Sequence, residues 1–284
     1  MKLSFSTLGC REWDVATIVE RARKYGYEGV EFRGHMEELQ LWKVREFSTD
    51  IAETRAMFKD AGLKIPCLGS DAKMYAPEAD RAKWLDEVRR YSDIAYGLGA
   101  PFIRVFGGVV GEGVAMETAL GVAAEFLNSA SVIARSAGAE ILVETHDAWV
   151  DSRALLEAFK MAEFPRGAGV LWDVHHPCRQ NGEDPDDTWK NIGQLVKYTH
   201  WKDSQLENVP KKEETSAKRR SKPCLMGRGD IPLRRMLEIL SDSGYEGWCS
   251  FEWERRWHPE IEPPEVAFPQ YAKFMRSLLA KVSK

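Results

Sequence analysis

The chain has 284 residues, a formal net charge of −4 and 44% apolar residues, which is ordinary for a globular protein with a substantial core. This balance excludes a strongly basic surface that would bind nucleic acid or anionic lipid, and no apolar run is long enough to cross a membrane. The five cysteines are odd in number and widely spaced, which argues against a disulfide framework and a thiolate zinc site, so we expect a cytoplasmic protein.

Short β-rich runs alternate with longer amphipathic runs along the whole chain. In residues 80–98, for example, apolar side chains recur at helical spacing opposite charged ones. The tetrapeptide GYEG occurs at Gly26 and again at Gly244, and each copy is predicted to be the turn from a helix into a strand. Eight runs are predicted to be strands: 2–7, 29–34, 64–70, 102–108, 140–147, 168–176, 196–203 and 247–254.

This order of elements predicts an α/β fold, a closed (β/α)8 TIM barrel that forms a single domain over residues 1–284. No change in composition marks a linker. A doubly wound sheet is the rival, but the segment after the first strand, STLGCREW, is not the glycine-rich phosphate loop that such a sheet places there. A long, charged, irregular loop, 204–230, follows the seventh strand and is expected on the catalytic face of the barrel.

Ligand-type side chains lie at the ends of the last four strands. Because side chains alternate along a strand, one such residue per strand is expected to face the barrel mouth: Glu144, Asp173, His200 and Glu252. Buried charges at this density are costly unless they are paired or bind a metal. Three carboxylates and one imidazole, without sulfur, suit Mn²⁺, Mg²⁺ or Co²⁺ better than Zn²⁺. The alternative is a buried salt-bridge network in which basic side chains pair the acids, with Lys202, Arg104 and Arg33 as candidates.

Further polar residues near the strand ends are candidates for substrate binding. His176 is expected to polarise a substrate oxygen, or else to cap the turn that follows it. Lys202 is expected to neutralise an oxyanion, or else to pair with Asp203. Glu31 and His35, after the second strand, are expected either at the rim of the pocket or in a solvated loop.

The ten tryptophans include several near these strand ends. Trp149 and Trp257 lie in loops and are expected to line the substrate pocket, where flat aromatic faces stack on the C–H faces of sugars. Trp172, Trp201 and Trp253 alternate with the candidate ligands, so we expect them to pack between the barrel and its helices.

The ordered set of motifs GYEGVEF, ILVETHD, WDVHH, HWKD, GRGDI and GYEGWCSFEWE resembles the xylose isomerase-like sugar isomerase and epimerase family of TIM barrels over nearly the whole chain. The resemblance implies that Glu144, Asp173, His200 and Glu252 bind one divalent metal, often Mn²⁺, and that His176 contacts the substrate. The chain departs from the ketose 3-epimerases of the family, which carry Glu and Arg where Val150 and Leu206 stand here, and this argues against a free ketohexose. Barrels of this type are commonly dimers or tetramers, so a homo-oligomer is expected.

Residues and resemblance together predict a metal-dependent isomerase or epimerase of a sugar or keto-sugar, phosphorylated or not. It would work through a metal-stabilised enediolate, with Glu144 and Glu252 as acid and base. The alternative is a lyase or dehydratase acting on a keto-inositol or a 3-keto-glycoside. An endonuclease IV-like repair enzyme is disfavoured, because it would need a basic surface and more histidines than the six in this chain. A non-catalytic sugar-binding protein is also disfavoured, because it would lack one of the four metal ligands. The expected partner is a small carbohydrate, with no nucleic acid and no membrane.

Overall fold

The computed structural model describes residues 1–207 and 221–282. Within these residues, the strands are β1 Lys2–Ser6, β2 Gly29–Glu31, β3 Cys67–Lys73, β4 Phe102–Phe106, β5 Glu140–Glu144, β6 Ala168–Asp173, β7 Val196–Trp201, β8 Asp203–Leu206, β9 Ser221–Cys224 and β10 Trp248–Phe251. The α-helices are α1 Val15–Tyr25, α2 Ile51–Asp60, α3 Glu78–Leu98, α4 Met116–Ser136, α5 Ser152–Met161, α6 Pro185–Ile192, α7 Leu233–Asp242 and α8 Pro264–Val282.

Eight of the strands form one parallel sheet in the order β2-β1-β10-β7-β6-β5-β4-β3. The two ends of this order also meet, because β2 and β3 are joined by parallel bridges from Gly29 to Lys64 and from Phe32 to Leu68. The amide of Gly69 donates a hydrogen bond of 2.8 Å to the carbonyl of Phe32 at this seam. The sheet therefore closes on itself, and the predicted (β/α)8 barrel is confirmed.

Both GYEG segments are turns from a helix into a barrel strand. Gly26 caps α1 with φ +77°, and Gly244 follows α7 with φ +71°, a left-handed backbone that glycine adopts at little cost. After the first turn, the side chain of Tyr27 covers the helix end and donates a hydrogen bond of 2.7 Å to the carbonyl of Phe268 in α8. The repeated sequence thus has one structural meaning in both places.

The helices cover the outer face of the barrel with their apolar sides. In α1, the buried residues Val15, Ile18, Val19 and Ala22 recur at the spacing of one helix face. Trp172, Trp201 and Trp253 are all buried, as expected for side chains that point away from the barrel interior. Among residues 1–207 and 221–282, no helix combines the length and the apolar character that crossing a bilayer requires.

The predicted loop 204–230 is not wholly irregular. Its two described ends, β8 and β9, pair as antiparallel strands, from Asp203 opposite Cys224 to Leu206 opposite Ser221. The carboxylate of Asp203 accepts hydrogen bonds of 2.9 Å from the amides of Gly227 and Gly229, which fixes the GRGD motif beside the barrel. Residues 208–220 of the predicted loop lie outside the described part of the chain.

Candidate metal centre and active site

The structure brings together the four predicted metal ligands at the carboxyl ends of four neighbouring strands. Glu144 ends β5, Asp173 ends β6, His200 lies in β7 opposite Asp173, and Glu252 directly follows β10. One ligand atom from each residue lies within 4.8 Å of those from the other three. All four side chains are buried, with at most 4% of their surface exposed. The sheet order therefore assembles residues from distant parts of the sequence into one compact donor set.

The donor atoms face one another around the His200 ring. Its Nδ1 lies 3.2 Å from Oε1 of Glu144 and 3.3 Å from Oε1 of Glu252. Oε2 of Glu144 is buried and accepts no hydrogen bond from any residue in the described ranges; the nearest cation, Nε of Arg104, lies 3.4 Å away. A buried carboxylate oxygen without a donor is costly, and a bound cation would remove that cost.

The carboxylate of Asp173 is held in a fixed orientation. Its Oδ1 accepts hydrogen bonds from the backbone amides of His175 at 2.8 Å and His176 at 3.1 Å. This leaves Oδ2 toward the other ligands, where it pairs with Nζ of Lys202 at 2.9 Å. Burial raises the pKa of Asp173 to about 6, and the ammonium of Lys202 opposes that rise.

Glu31 is part of this centre, which corrects both expectations for its position. It is fully buried at the end of β2, neither at the pocket rim nor in a solvated loop. Its carboxylate oxygens lie 2.9 and 3.0 Å from Nε2 of His200, and Oγ of Ser250 donates to Oε2 at 2.9 Å. A carboxylate behind the imidazole orients the ring so that Nδ1 faces the other ligands. The neighbouring His35 is also buried rather than solvated.

The electrostatics of His200 follow from these neighbours. Burial opposes a charge on the ring, but the carboxylates of Glu252 and Glu31 outweigh it and raise the pKa of His200 well above its usual value. The pKa of Glu252 is held well below its usual value because His200 and Lys202 outweigh the effect of burial. Without a metal ion, His200 is therefore an imidazolium surrounded by carboxylates.

Lys202 and Arg104 neutralise part of the acidic cluster. Nζ of Lys202 lies 2.5 Å from Oε2 of Glu252 and 2.8 Å from Oε1 of Glu254, in addition to its contact with Asp173, and it does not pair with Asp203. The basic side chains considered as an alternative to a metal are thus present. Their positive charges do not balance the negative charges of the site, however. Arg104, Lys202 and the imidazolium of His200 leave an excess of one negative charge from the four buried carboxylates, which are Glu31, Glu144, Asp173 and Glu252.

The ring of His176 can accept a hydrogen bond from the pocket through its Nε2 atom. Its Nδ1 lies 3.1 Å from the carbonyl oxygen of Thr145, and a carbonyl only accepts, so Nδ1 carries the proton. Burial, followed by the charge of Lys202, lowers the pKa of His176 well below its usual value, so the ring is neutral. Its Nε2 therefore has a free lone pair. His175 is turned the other way and its Nε2 contacts Oγ of Ser204 at 2.8 Å.

Two adjoining cavities open onto the acidic cluster and share Glu252 and Glu254. The larger, of about 360 Å³, is lined by Arg33, Arg104, Glu144, His146, Glu252 and Trp257, among others. The smaller, of about 180 Å³, contains His175, His176 and Lys202. Candidate acid, base and polar binding groups thus surround one space of the size of a small-molecule site.

The two tryptophans predicted to line the pocket behave differently. Trp257 lines the larger cavity and is half exposed. Trp149 is fully buried, which corrects the expectation for it. A Cβ atom added to Gly107 would lie 2.2 Å from its indole ring, so the absence of a side chain at residue 107 lets Trp149 pack into the core. The cavity wall near this point is formed by Phe106 and His146 instead.

Comparison with known proteins agrees with this architecture. The sequence matches the profile of the xylose isomerase-like TIM barrel family over residues 19–278, whereas no curated protein matches it. The fold is similar to that of the probable 3-DHS dehydratase AsbF from Bacillus anthracis, involved in petrobactin synthesis, with a TM-score of 0.78, 18% identity, and coverage of 97% of this chain and 99% of that one.

Two further solved structures have similar folds at low sequence identity. One is the IolI protein with a bound zinc atom, with a TM-score of 0.78, 20% identity and 99% of each chain covered. The other is 3-keto-D-glucoside 4-epimerase from E. coli, with a TM-score of 0.74, 14% identity, and coverage of 98% of this chain and 99% of that one. Since the family profile spans nearly the whole sequence, this chain belongs to the xylose isomerase-like TIM barrel family.

Proposed function

We propose that this protein is a divalent-metal-dependent isomerase or epimerase that acts on a sugar or keto-sugar, free or phosphorylated. The observation that carries the proposal is the clustering of Glu144, Asp173, His200 and Glu252 at one end of the barrel, with ligand atoms within 4.8 Å of one another. Membership of the xylose isomerase-like family supports the proposal, and so does the similarity in fold to 3-keto-D-glucoside 4-epimerase.

The clustered residues fit a divalent ion in three respects. Their oxygen-rich donor set suits Mn²⁺, with Mg²⁺, Co²⁺ and Zn²⁺ as alternatives. When His200 loses its proton, as a ligand imidazole must, the excess of the four buried carboxylates over the permanent cations Arg104 and Lys202 equals the charge of one such ion. Oε2 of Glu144 also lacks a hydrogen-bond donor throughout the described residues. When bound, the ion supplies Lewis-acid stabilisation of the negative charge that develops on substrate oxygens.

Glu144 and Glu252 are the proposed proton acceptor and donor. Both carboxylates line the larger cavity, and each directs only one oxygen toward His200. One carboxylate removes the proton from the carbon beside the substrate carbonyl, and the electron pair of that C–H bond forms an enediolate. The other glutamate, protonated as a carboxylic acid, then delivers its proton. Delivery to the former carbonyl carbon gives isomerisation, and delivery to the opposite face of the original carbon gives epimerisation.

Three other residues are proposed to bind the substrate. The free lone pair on Nε2 of His176 accepts a hydrogen bond from a substrate hydroxyl, and the ammonium of Lys202 donates to a substrate oxygen. Both residues line the smaller cavity next to Glu252. The half-exposed ring of Trp257 offers an apolar face for the C–H side of a sugar at the mouth of the larger cavity. These contacts would orient the reacting carbon between the two glutamates.

A lyase or dehydratase acting on a keto-inositol or a 3-keto-glycoside is the second candidate. Lys202 is a proton donor that lies 2.5 Å from Oε2 of Glu252, where it is placed to protonate a leaving hydroxyl. Leu206, which stands where ketose 3-epimerases carry Arg, lies in β8 and is 42% exposed. The similarity in fold to a probable dehydratase is compatible with this candidate. Detection of a product that has lost water or an alcohol, rather than one of unchanged mass, decides between the two.

The proposal is tested by metal analysis followed by hydrogen exchange. Purified protein is expected to contain about one divalent ion per chain, and it should exchange substrate C–H for deuterium in D₂O with a member of a panel of keto sugars and inososes. Glu144→Gln and Glu252→Gln should each abolish this exchange. Glu140→Gln is the matched control, because Glu140 lies at the opposite end of β5 and, within the described ranges, forms an ion pair only with Lys197. Protein without any divalent ion, or undiminished exchange in both active-site variants, would refute the proposal.

A further inference from the structure

Two arginine side chains meet in the larger cavity above a glycine of the intervening strand. Arg33 follows β2, Arg104 lies in β4, and Gly69 lies in β3 between them. A Cβ atom added to Gly69 would lie 2.6 Å from Cδ of Arg33 and 3.1 Å from Nη2 of Arg104. Any side chain at residue 69 would therefore displace at least one of the arginines. The absence of a side chain in β3 allows two guanidinium groups to approach each other at the barrel mouth.

The hydrogen-bonding capacity of these two arginines is only partly used. Nη2 of Arg33 pairs with Oδ1 of Asp71 at 2.5 Å, but its Nη1 is buried without a hydrogen-bond partner in the described ranges. Nη1 of Arg104 donates to the carbonyl of Ser70 at 2.9 Å, while its buried Nε makes no hydrogen bond and lies 3.4 Å from Oε2 of Glu144. Arg33 is 5% exposed and Arg104 is 1% exposed. Buried guanidinium donors without acceptors are expensive and call for a ligand with acceptor atoms.

Negative charge near Arg33 does not offset the cost of burying its guanidinium. Burial, followed by the nearby charge of Arg104, lowers the pKa of Arg33, and Asp71 compensates only in part. Both guanidinium groups lie against the ring of Phe106, at 5.8 Å for Arg33 and 3.9 Å for Arg104, which keeps them side by side on one wall. Both line the same cavity as Glu144 and Glu252. An acceptor group in that cavity would thus contact the arginine pair while the rest of the molecule lies beside the two glutamates.

We infer that the larger cavity binds a substrate through an anionic group, a carboxylate or a phosphate, held by Arg33 together with Arg104. Two planar guanidinium groups match the oxygen geometry of either anion. This inference rests on the proposed function, since it places the anionic group beside the carbon that Glu144 and Glu252 would act on. It narrows the proposed substrate class from sugars in general to sugars that carry a phosphate or a carboxylate group.

The test is calorimetric titration of the Mg²⁺-loaded and the metal-free protein with inorganic phosphate and, separately, with malonate. Wild-type protein is expected to bind at least one of the two, and the tighter of them identifies the anion class. Arg33→Gln should bind it at least about tenfold more weakly, because charge-assisted hydrogen bonds are lost. Arg89→Gln is the control, since Arg89 is exposed on α3 and contacts only Asp86 among the residues described. It should bind as wild type does.

Arg33→Lys is a second variant that keeps the positive charge and a similar length. It should also bind the anion more weakly, because an ammonium cannot donate from two parallel N–H groups. Wild-type protein that binds neither anion, or either Arg33 variant that binds as well as wild type, overturns the inference. Anion binding is measured without turnover. A wild-type protein that catalyses deuterium exchange but binds neither anion would therefore refute only the inference. Anion binding that depends on Arg33, in a protein without metal or exchange, refutes only the proposed function.

Discussion

Oε2 of Glu31 lies 2.9 Å from Nε2 of His200, although the two residues are 169 positions apart in the sequence. The contact crosses the barrel interior from β2 to β7, and both side chains are fully buried. It fixes the plane of the imidazole and directs Nδ1 toward Glu144 and Glu252. Glu31 would thus prepare His200 to act as the proposed ligand, and it is not itself one of the four clustered residues.

Glu31→Gln should weaken metal binding while leaving the four ligands in place. An amide is a weaker acceptor than a carboxylate and does not increase the basicity of the imidazole, so we expect about a 10- to 100-fold loss of Mn²⁺ affinity. Calorimetric titration of the metal-free protein measures the change. Glu117→Gln, on the exposed surface of α4, is the control and should bind Mn²⁺ as wild type does. Equal affinities for Glu31→Gln and wild type would show that Glu31 does not support the metal site.

The fold could be predicted from the sequence because its signals are local. Strand-like runs and amphipathic helices can each be identified within about a dozen residues. The same holds for glycines such as Gly26 and Gly244, which adopt left-handed conformations after helices. The clustering of the four candidate ligands could be predicted for the same reason, since alternation along a strand places Glu144 or His200 on a definite face. Parallel strands then bring their carboxyl ends to one side of the barrel.

Contacts that depend on how the barrel closes could not be predicted in this way. Glu31 lies in the predicted strand 29–34, of which only Gly29–Glu31 form a strand, and the alternation of side chains in so short a run does not show which face points into the barrel. Its partner became clear only from the closed sheet. Trp149 lies in a turn, where no alternation applies, and its burial depends on the lack of a side chain at Gly107 on a different strand connection. The pairing of β8 with β9 likewise joins segments separated by residues 208–220.

Metal binding is expected to release a proton from His200. Carboxylates hold the pKa of this buried imidazole well above its usual value, so the metal-free protein carries an imidazolium at neutral pH. A ligand nitrogen must be deprotonated, and binding therefore displaces about one proton per ion from this residue. Calorimetric titration with Mn²⁺ in buffers of different ionisation enthalpy measures the number released. Metal affinity should also fall as the pH is lowered, and an affinity independent of pH between 6 and 8 would contradict this account.

Lys202 should stabilise the metal-free protein more than the metal-loaded one. Its ammonium pairs with Asp173 and Glu252, and Lys202→Met would leave these buried carboxylates without that compensation. We expect the free energy of unfolding of the metal-free protein to fall by about 3 kcal/mol, and added Mn²⁺ to recover part of the loss.

Urea denaturation with and without Mn²⁺ measures both effects of the Lys202 substitution. Lys160→Met is the control, since Lys160 forms an exposed pair with Glu157 at 2.7 Å and its loss should cost under about 1 kcal/mol. A Lys202→Met protein as stable as the control without metal would show that the ammonium does not compensate the cluster.

Substitution of the two loop tryptophans should change the free energy of unfolding by different amounts. Trp149 is fully buried, so Trp149→Ala leaves a large cavity in the core and should lower the free energy of unfolding by about 3–5 kcal/mol. Trp257 is half exposed at the cavity mouth, so Trp257→Ala should change stability by less than about 1 kcal/mol. Urea denaturation of both variants under identical metal conditions measures these changes. If Trp257→Ala proves as destabilising as Trp149→Ala, then Trp257 belongs to the core rather than to the wall of the substrate cavity.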